Sequence, residues 1–186
     1  MILQIAELDH PALRTMGRPI LKVDEKLLDL VEDMIETMQN ADGIGLAAQQ
    51  VGRPLQMFVL DVPKMQDRPS AMTMDGKAVD FEDFMPLVIL NPKIETFGEL
   101  ATENEGCLSF PGLHGDVTRP RSVRVAGQGL EGESIAFEAE GLLARAVQHE
   151  YDHLQGHLFL DRMIPEHLAE LPRSVQKLVR SVHKPF

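Results

Sequence analysis

Cysteine is almost absent: Cys107 is the single one in 186 residues, so no internal disulfide can form. A lone cysteine in such a chain points to a reducing compartment, and to a metal ligand, a nucleophile or a plain core residue. Cations are scarce as well. The 18 Lys and Arg are outnumbered by 29 Asp and Glu, for a formal net charge of −11. That balance argues against DNA or any general nucleic-acid partner, because phosphate contacts need clustered Lys and Arg. No apolar run approaches the ~18–20 residues of a membrane span. The start, Met1-Ile2-Leu3-Gln4-Ile5 with Glu7 and Asp9 soon after, is neither basic nor Arg/Ser-rich. No export or organelle signal is visible, and a cytoplasmic protein is the simplest expectation. Repeats, low-complexity tracts and domain linkers are missing too. An apolar fraction of 44% and a charged fraction of 25% are ordinary for a globular chain, and the length suits one domain over 1–186.

What the chain does have is Gln148-His149-Glu150-Tyr151-Asp152-His153. Residues four apart share one face of a helix, so His149 and His153 can present imidazole nitrogens to one metal ion. Glu150 follows the first of them and projects close enough to act on a bound water rather than on the cation. Leu142, Ala146, His149 and His153 line one helical stripe from Leu142 onward, and Gly156 offers a stop.

Elsewhere the periodicity predicts a helix from Asp24, a plausible N-cap, with Leu27, Val31, Met34 and Met38 on its apolar side and Gly43 beyond its end. The methionines there read as core filler. Gly43-Ile44-Gly45-Leu46-Ala47-Ala48-Gln49-Gln50-Val51-Gly52 reads as a tight connection whose small residues allow close backbone approach; it lacks the pattern of a phosphate loop. Strands are expected at 55–61, 87–90, 94–97, 122–126 and 134–140. Residues 63–86 break the pattern and read as a surface excursion, an insertion or lid that could include a hairpin. Pro165 and Pro172 suit first-turn helix positions, and Val175, Leu178, Val179 and Val182 form the apolar stripe of a C-terminal helical segment at about 165–184.

Two histidines do not complete a catalytic metal site, where three protein ligands and water are usual. A metzincin would need histidine at the position of Phe159. Glu166 or Glu170 would serve an endopeptidase of the His-Glu-x-x-His class. Upstream, Glu105-Gly106-Cys107-Leu108-Ser109 offers a thiolate, a strong ligand for Zn²⁺ or Fe²⁺.

Three stretches in this order resemble the three motifs of the bacterial-type peptide deformylase family: Gly43-Ile44-Gly45-Leu46-Ala47-Ala48-Gln49-Gln50, Glu105-Gly106-Cys107-Leu108-Ser109 and Gln148-His149-Glu150-Tyr151-Asp152-His153. The likeness runs from the first helix to about Asp161-Arg162. It implies an α+β fold with antiparallel strands packed around a central metal-binding helix, and removal of the N-formyl group from N-formylmethionyl nascent peptides. By the same resemblance Cys107, His149 and His153 bind one divalent metal, Fe²⁺ favoured over Zn²⁺, Co²⁺ or Ni²⁺. Glu150 is the general acid/base, and Gln50 (side-chain amide) and Leu108 (backbone N–H) stabilise the oxyanion.

An apolar pocket for the methionine side chain is expected from Ile44, Gly45, Leu142 and Ala146. Glu105 is expected to orient a ligand or to pair with Arg119 or Arg121. The remaining histidines, His10, His114, His157, His167 and His183, are expected in solvent or in local bonds. After Glu170 the chain carries Arg173, Lys177, Arg180 and Lys184 with no acidic residue, so a basic amphipathic helix could make a transient ribosome contact. Besides the endopeptidase, the rival is a structural Zn²⁺ protein, which would need a fourth ligand.

Overall fold

The computed structural model describes residues 1–180. Asp24 caps helix α1 (Glu25–Asn40) by accepting the Leu27 N–H at 3.0 Å, which satisfies one of the free donors of the first turn. Leu27, Val31, Met34 and Met38 turn inward from α1 and meet Leu46, Met57, Val59 and Leu90 in one apolar cluster. Both methionines are fully buried, as filler should be.

Seven strands follow: β1 (Gly45–Ala47), β2 (Met57–Leu60), β3 (Ser70–Met74), β4 (Lys77–Val79), β5 (Leu87–Gly106), β6 (His114–Gln128) and β7 (Ser134–Gly141). They form a sheet in the order β1-β2-β5-β6-β7-β3-β4, with every neighbouring pair antiparallel. Helix α2 (Leu142–Leu154) lies at its centre and touches β1, β2, β3, β6 and β7. Phe58, Ile89, Val123, Val125 and Phe137 from the strands pack against Leu143, Ala144 and Val147 of α2. This is the α+β arrangement that the motifs implied.

Three expectations need correction. The strands at 87–90 and 94–97 are one continuous β5 that runs on to Gly106, interrupted only by register shifts after Leu90 and after Phe97. Glu99, Glu103 and Asn104 hide it, because their low β-propensity is overridden by pairing with β6. The 63–86 stretch is no mere excursion. Its hairpin β3–β4 joins β7, and Met72 and Phe81 are core residues. Pro69 O and Ser70 Oγ accept the N–H groups of Leu142 and Leu143 at 3.3 and 3.0 Å, so this segment caps the first turn of α2.

The third correction concerns the C-terminal segment, which breaks into α3 (Pro165–Glu170) and α4 (Arg173–Gln176). Leu171 precedes Pro172 and is extended, at φ −70° and ψ 154°, as a residue before proline prefers. Pro165 is at the first turn of α3, but Pro172 is the N-cap of α4. Val175 is buried, and Leu178 and Val179 pack beside it; Val182, His183 and Lys184 lie outside the described residues.

The entry into α2 depends on Gly141, with φ 68° and ψ −136°, a region open essentially to glycine. A Cβ there would stand 1.9 Å from the Pro69 carbonyl oxygen. Gly141→Ala should therefore cost about 2 kcal/mol or more, read as a lower urea midpoint with an unchanged m value.

Candidate metal centre and cleft

Cys107 directly follows the last paired residue of β5, where Gly106 faces His114 across the ribbon. His149 and His153 project from α2 one turn apart, both buried. The three donor atoms, one sulfur and two ring nitrogens, lie within 4.8 Å of one another; Cys107 Sγ is 3.3 Å from His153 Nε2. One thiol and two imidazoles suit borderline ions such as Fe²⁺ and Zn²⁺. No other such cluster occurs among the described residues. Glu166 and Glu170 are exposed on α3 and are not part of it, which removes the third ligand that an endopeptidase would need. Among the described residues no fourth protein ligand joins the cluster, as a closed structural zinc site would require.

A buried ionic network holds these side chains. Glu105, two residues before Cys107, accepts from Arg119 Nε at 2.7 Å and NH2 at 3.0 Å, and its Oε2 is 3.0 Å from His149 Nδ1. Nδ1 is thus occupied, which leaves Nε2 for a cation. Asp152 accepts from Arg119 NH1 at 2.8 Å and from Arg162 Nε and NH2, both at 2.6 Å. Glu105 therefore orients a ligand and pairs with Arg119 at once, two roles the sequence left as alternatives. Exposed Arg121 has no part in it. The network residues Asp152, Arg145 and Arg162 were missed from sequence, since nothing local announces a buried charge. Arg119 was seen only as a possible partner.

Burial alone would raise the Glu105 carboxyl, but Arg119 and His149 hold it well below the usual carboxylate range. Burial likewise opposes the imidazolium of His149, yet hydrogen bonds with Cys107 and Glu105 push it well above the ordinary value. Burial and the neighbouring His149 push His153 well below. Ligation by His149 would release its proton, so uptake of a cation here is pH-dependent.

Glu150 is buried, and burial pushes its carboxyl up to about 7 against the opposing pull of His149 and Arg119. A Cβ on Gly45 would fall 2.5 Å from Glu150 Oε1, so only glycine lets β1 pass so close to this carboxyl. Glu150 Oε2 has no hydrogen-bond partner among the described residues. Gln50 Oε1 accepts the Ala47 N–H at 2.8 Å, which aims Nε2 at Cys107 Sγ (3.5 Å) and Ser109 Oγ (3.3 Å). Ser109, the last residue of the cysteine motif, is thus a partner of Gln50 that its sequence context does not announce.

A cleft of about 750 Å³ opens over these groups, and its lining includes Ile44, Gly45, Leu108, Leu142 and Ala146 together with Gln50, Cys107, His149 and Glu150. Every residue singled out from sequence for the site faces it or, like His153, sits in the donor cluster. Phe110 and Leu113 line it as well; they follow the cysteine motif but carry no polar signal. Of the other histidines, His10 Nδ1 accepts the Ala12 N–H and His167 Nδ1 the Asp116 N–H. His114 is exposed at the cleft rim, and His157 falls beyond the end of α2.

Because the Glu105 and Asp152 carboxyls are depressed in the fold, their stabilisation is complete above the ordinary carboxylate range and is lost as pH falls below about 4.5. Glu105→Gln leaves buried Arg119 and Arg145 short of one carboxylate, with Asp152 still on Arg119, and should cost about 3 kcal/mol at pH 7. Its stability should also fall less steeply than the wild type's on acidification. Urea midpoints at pH 7 and at pH 4 check both; equal midpoints at pH 7 would contradict the network's role.

Comparison with known proteins agrees with this geometry. The family model described as polypeptide deformylase matches residues 2–169. A peptide deformylase of Methylacidiphilum infernorum is 44% identical over 180 residues, covering 97% of this chain and 94% of that protein. Among solved structures, the Synechococcus elongatus peptide deformylase in complex with actinonin is similar at a TM-score of 0.81 and 37% identity, covering 97% of this chain and 91% of that one. The Acinetobacter baumannii class I type b peptide deformylase bound to Met-Ala-Ser gives 0.75 and 30%, over 88% of this chain and 99% of that one. The chain belongs to the peptide deformylase family, metal-dependent hydrolases that remove the N-formyl group from the N-terminal formylmethionine of new proteins and release formate.

Proposed function

We propose that Cys107, His149 and His153 hold one divalent cation, and that Glu150, Gln50 and the Leu108 N–H carry out deformylation beside it. The observation that supports this best is the meeting of the three donor atoms within 4.8 Å at a cleft that also exposes Glu150 and Gln50. When bound, the cation supplies Lewis acidity and makes a water nucleophilic near neutral pH. Glu150, with its carboxyl near 7, takes the proton from the attacking water and returns it to the leaving amine. Gln50 Nε2, fixed through Ala47, and the Leu108 N–H donate to the developing oxyanion, where losing one donor typically costs ~3 kcal/mol. Ile44, Gly45, Leu142 and Ala146 form the wall against which the methionine side chain is buried.

Several ions suit this donor set; the family resemblance favours Fe²⁺ among them, which makes activity oxygen-sensitive. A cytoplasmic location belongs to the same reading, since the single thiol must stay reduced to serve as ligand. No described helix is long and apolar enough to cross a membrane. Arg173, Lys177 and Arg180 are exposed while Val175 is buried beneath them. We assign to this basic face a transient contact with ribosomal RNA, now without a continuous helix to carry it.

Protein purified without oxygen should release formate from formyl-Met-Ala-Ser and leave an internally cleavable peptide intact, with one metal ion per chain. Glu150→Ala should keep the metal and lose about a hundredfold or more of the turnover; near-normal turnover would remove Glu150 as proton carrier. For the ribosome, Arg173→Glu, Lys177→Glu and Arg180→Glu together should reduce cosedimentation at low salt and leave formate release intact. This is a cleaner test than truncation after Leu171, which would also strip buried Val175 from the core. Unchanged cosedimentation would end the idea.

A further inference from the structure

One buried cation at the cleft has no task in this chemistry. Arg145 sits on α2 one turn before His149, on the same helical face, and lines the cleft beside Leu142 and Ala146. Its NH1 donates to Glu105 Oε1 at 2.7 Å and to the Val117 carbonyl at 3.0 Å. Its NH2 donates to the Ala101 carbonyl at 2.8 Å, and Nε is 3.4 Å from Glu103 Oε2. Anchoring a helix to a sheet does not need this, since an apolar side chain fills such a space without desolvating a charge.

We propose that Arg145 is a positioning residue for the metal centre: it locks the Glu105 carboxylate, which in turn fixes the His149 ring with Nε2 toward the cation. Arg119 grips both Glu105 oxygens from β6, Nε on Oε1 and NH2 on Oε2, while its NH1 is committed to Asp152. Arg145 adds a second donor to Oε1 from α2, while Oε2 is shared by Arg119 NH2 and His149 Nδ1. Its own guanidinium is held by backbone carbonyls of β5 and β6, and Glu103 is tied in turn to Arg68 at the cleft rim, at 3.0 Å. Rotation of the carboxylate is therefore blocked from both strands, and the imidazole plane with it. The inference rests on the reading of Cys107, His149 and His153 as ligands.

The test measures Zn²⁺ affinity by competition with a chelator and the visible absorption of the Co²⁺-loaded protein. Failure of the wild type to bind either ion would sink the underlying reading before any variant is made. Given binding, Arg145→Met should weaken Zn²⁺ affinity about 10–100-fold and shift the Co²⁺ bands, with Arg145→Lys in between. A folded Arg145→Met with wild-type affinity and spectrum, but a lower melting temperature, would overturn the proposal and leave Arg145 as a support of the fold. Should Arg145→Met fail to fold, Arg145→Lys decides alone: it keeps the charge and loses the fork, so affinity and spectrum equal to the wild type's would overturn the proposal.

Discussion

Arg119 is fully buried and carries two carboxylates, Glu105 from the end of β5 and Asp152 from α2. A guanidinium out of water is tolerated only when its charge is matched and its donors are filled, and here the matching groups come from different segments. The requirement couples the strand that delivers Cys107 to the helix that delivers His149 and His153. Without that coupling, a thiol more than forty positions upstream of the histidines has no reason to meet them. Arg162 extends the network by holding the other side of Asp152, so the stretch after α2 is fastened to the same centre.

The second constraint is the burial of α2. A helix rich in Arg145, Gln148, His149, Glu150, Asp152 and His153 would ordinarily turn its polar side to water, yet nearly all of it is buried. The strands provide what water would have provided: Gln148 donates to the Pro120 carbonyl, Arg145 to those of Val117 and Ala101. The β3 segment receives the first N–H groups of the helix. The same enclosure raises the Glu150 carboxyl to about 7 by desolvation, and the side chain fits against β1 only because residue 45 is glycine.

Legibility from sequence varied along the chain for physical reasons. Helix α1 was readable because its apolar period, its Asp24 cap and its polar face all agree. The ends of β5 were not, since Glu99, Glu103 and Asn104 contradict a strand until β6 pairs with them. The hairpin at Ser70–Val79 could be suspected, but not its place beside β7 or its cap on α2. The C-terminal segment kept the apolar stripe of a helix through Val175, Leu178 and Val179, while Leu171-Pro172 divided it into two short pieces.

The sequence by itself determined which donors are available and what they can do. A sole thiol, two imidazoles at helical spacing, the adjacent glutamate and the amide of Gln50 are fixed by residue type, as is the short-range geometry of His149 and His153 on one helical turn. Only the tertiary structure decided which distant groups surround them. It is the three-dimensional packing that set Glu105 between Arg119, Arg145 and His149, desolvated Glu150, and closed Ile44, Leu142 and Ala146 into one wall. The reason is range: helical periodicity acts over four residues, whereas burial and ion pairing act between segments that the chain itself keeps tens of residues apart.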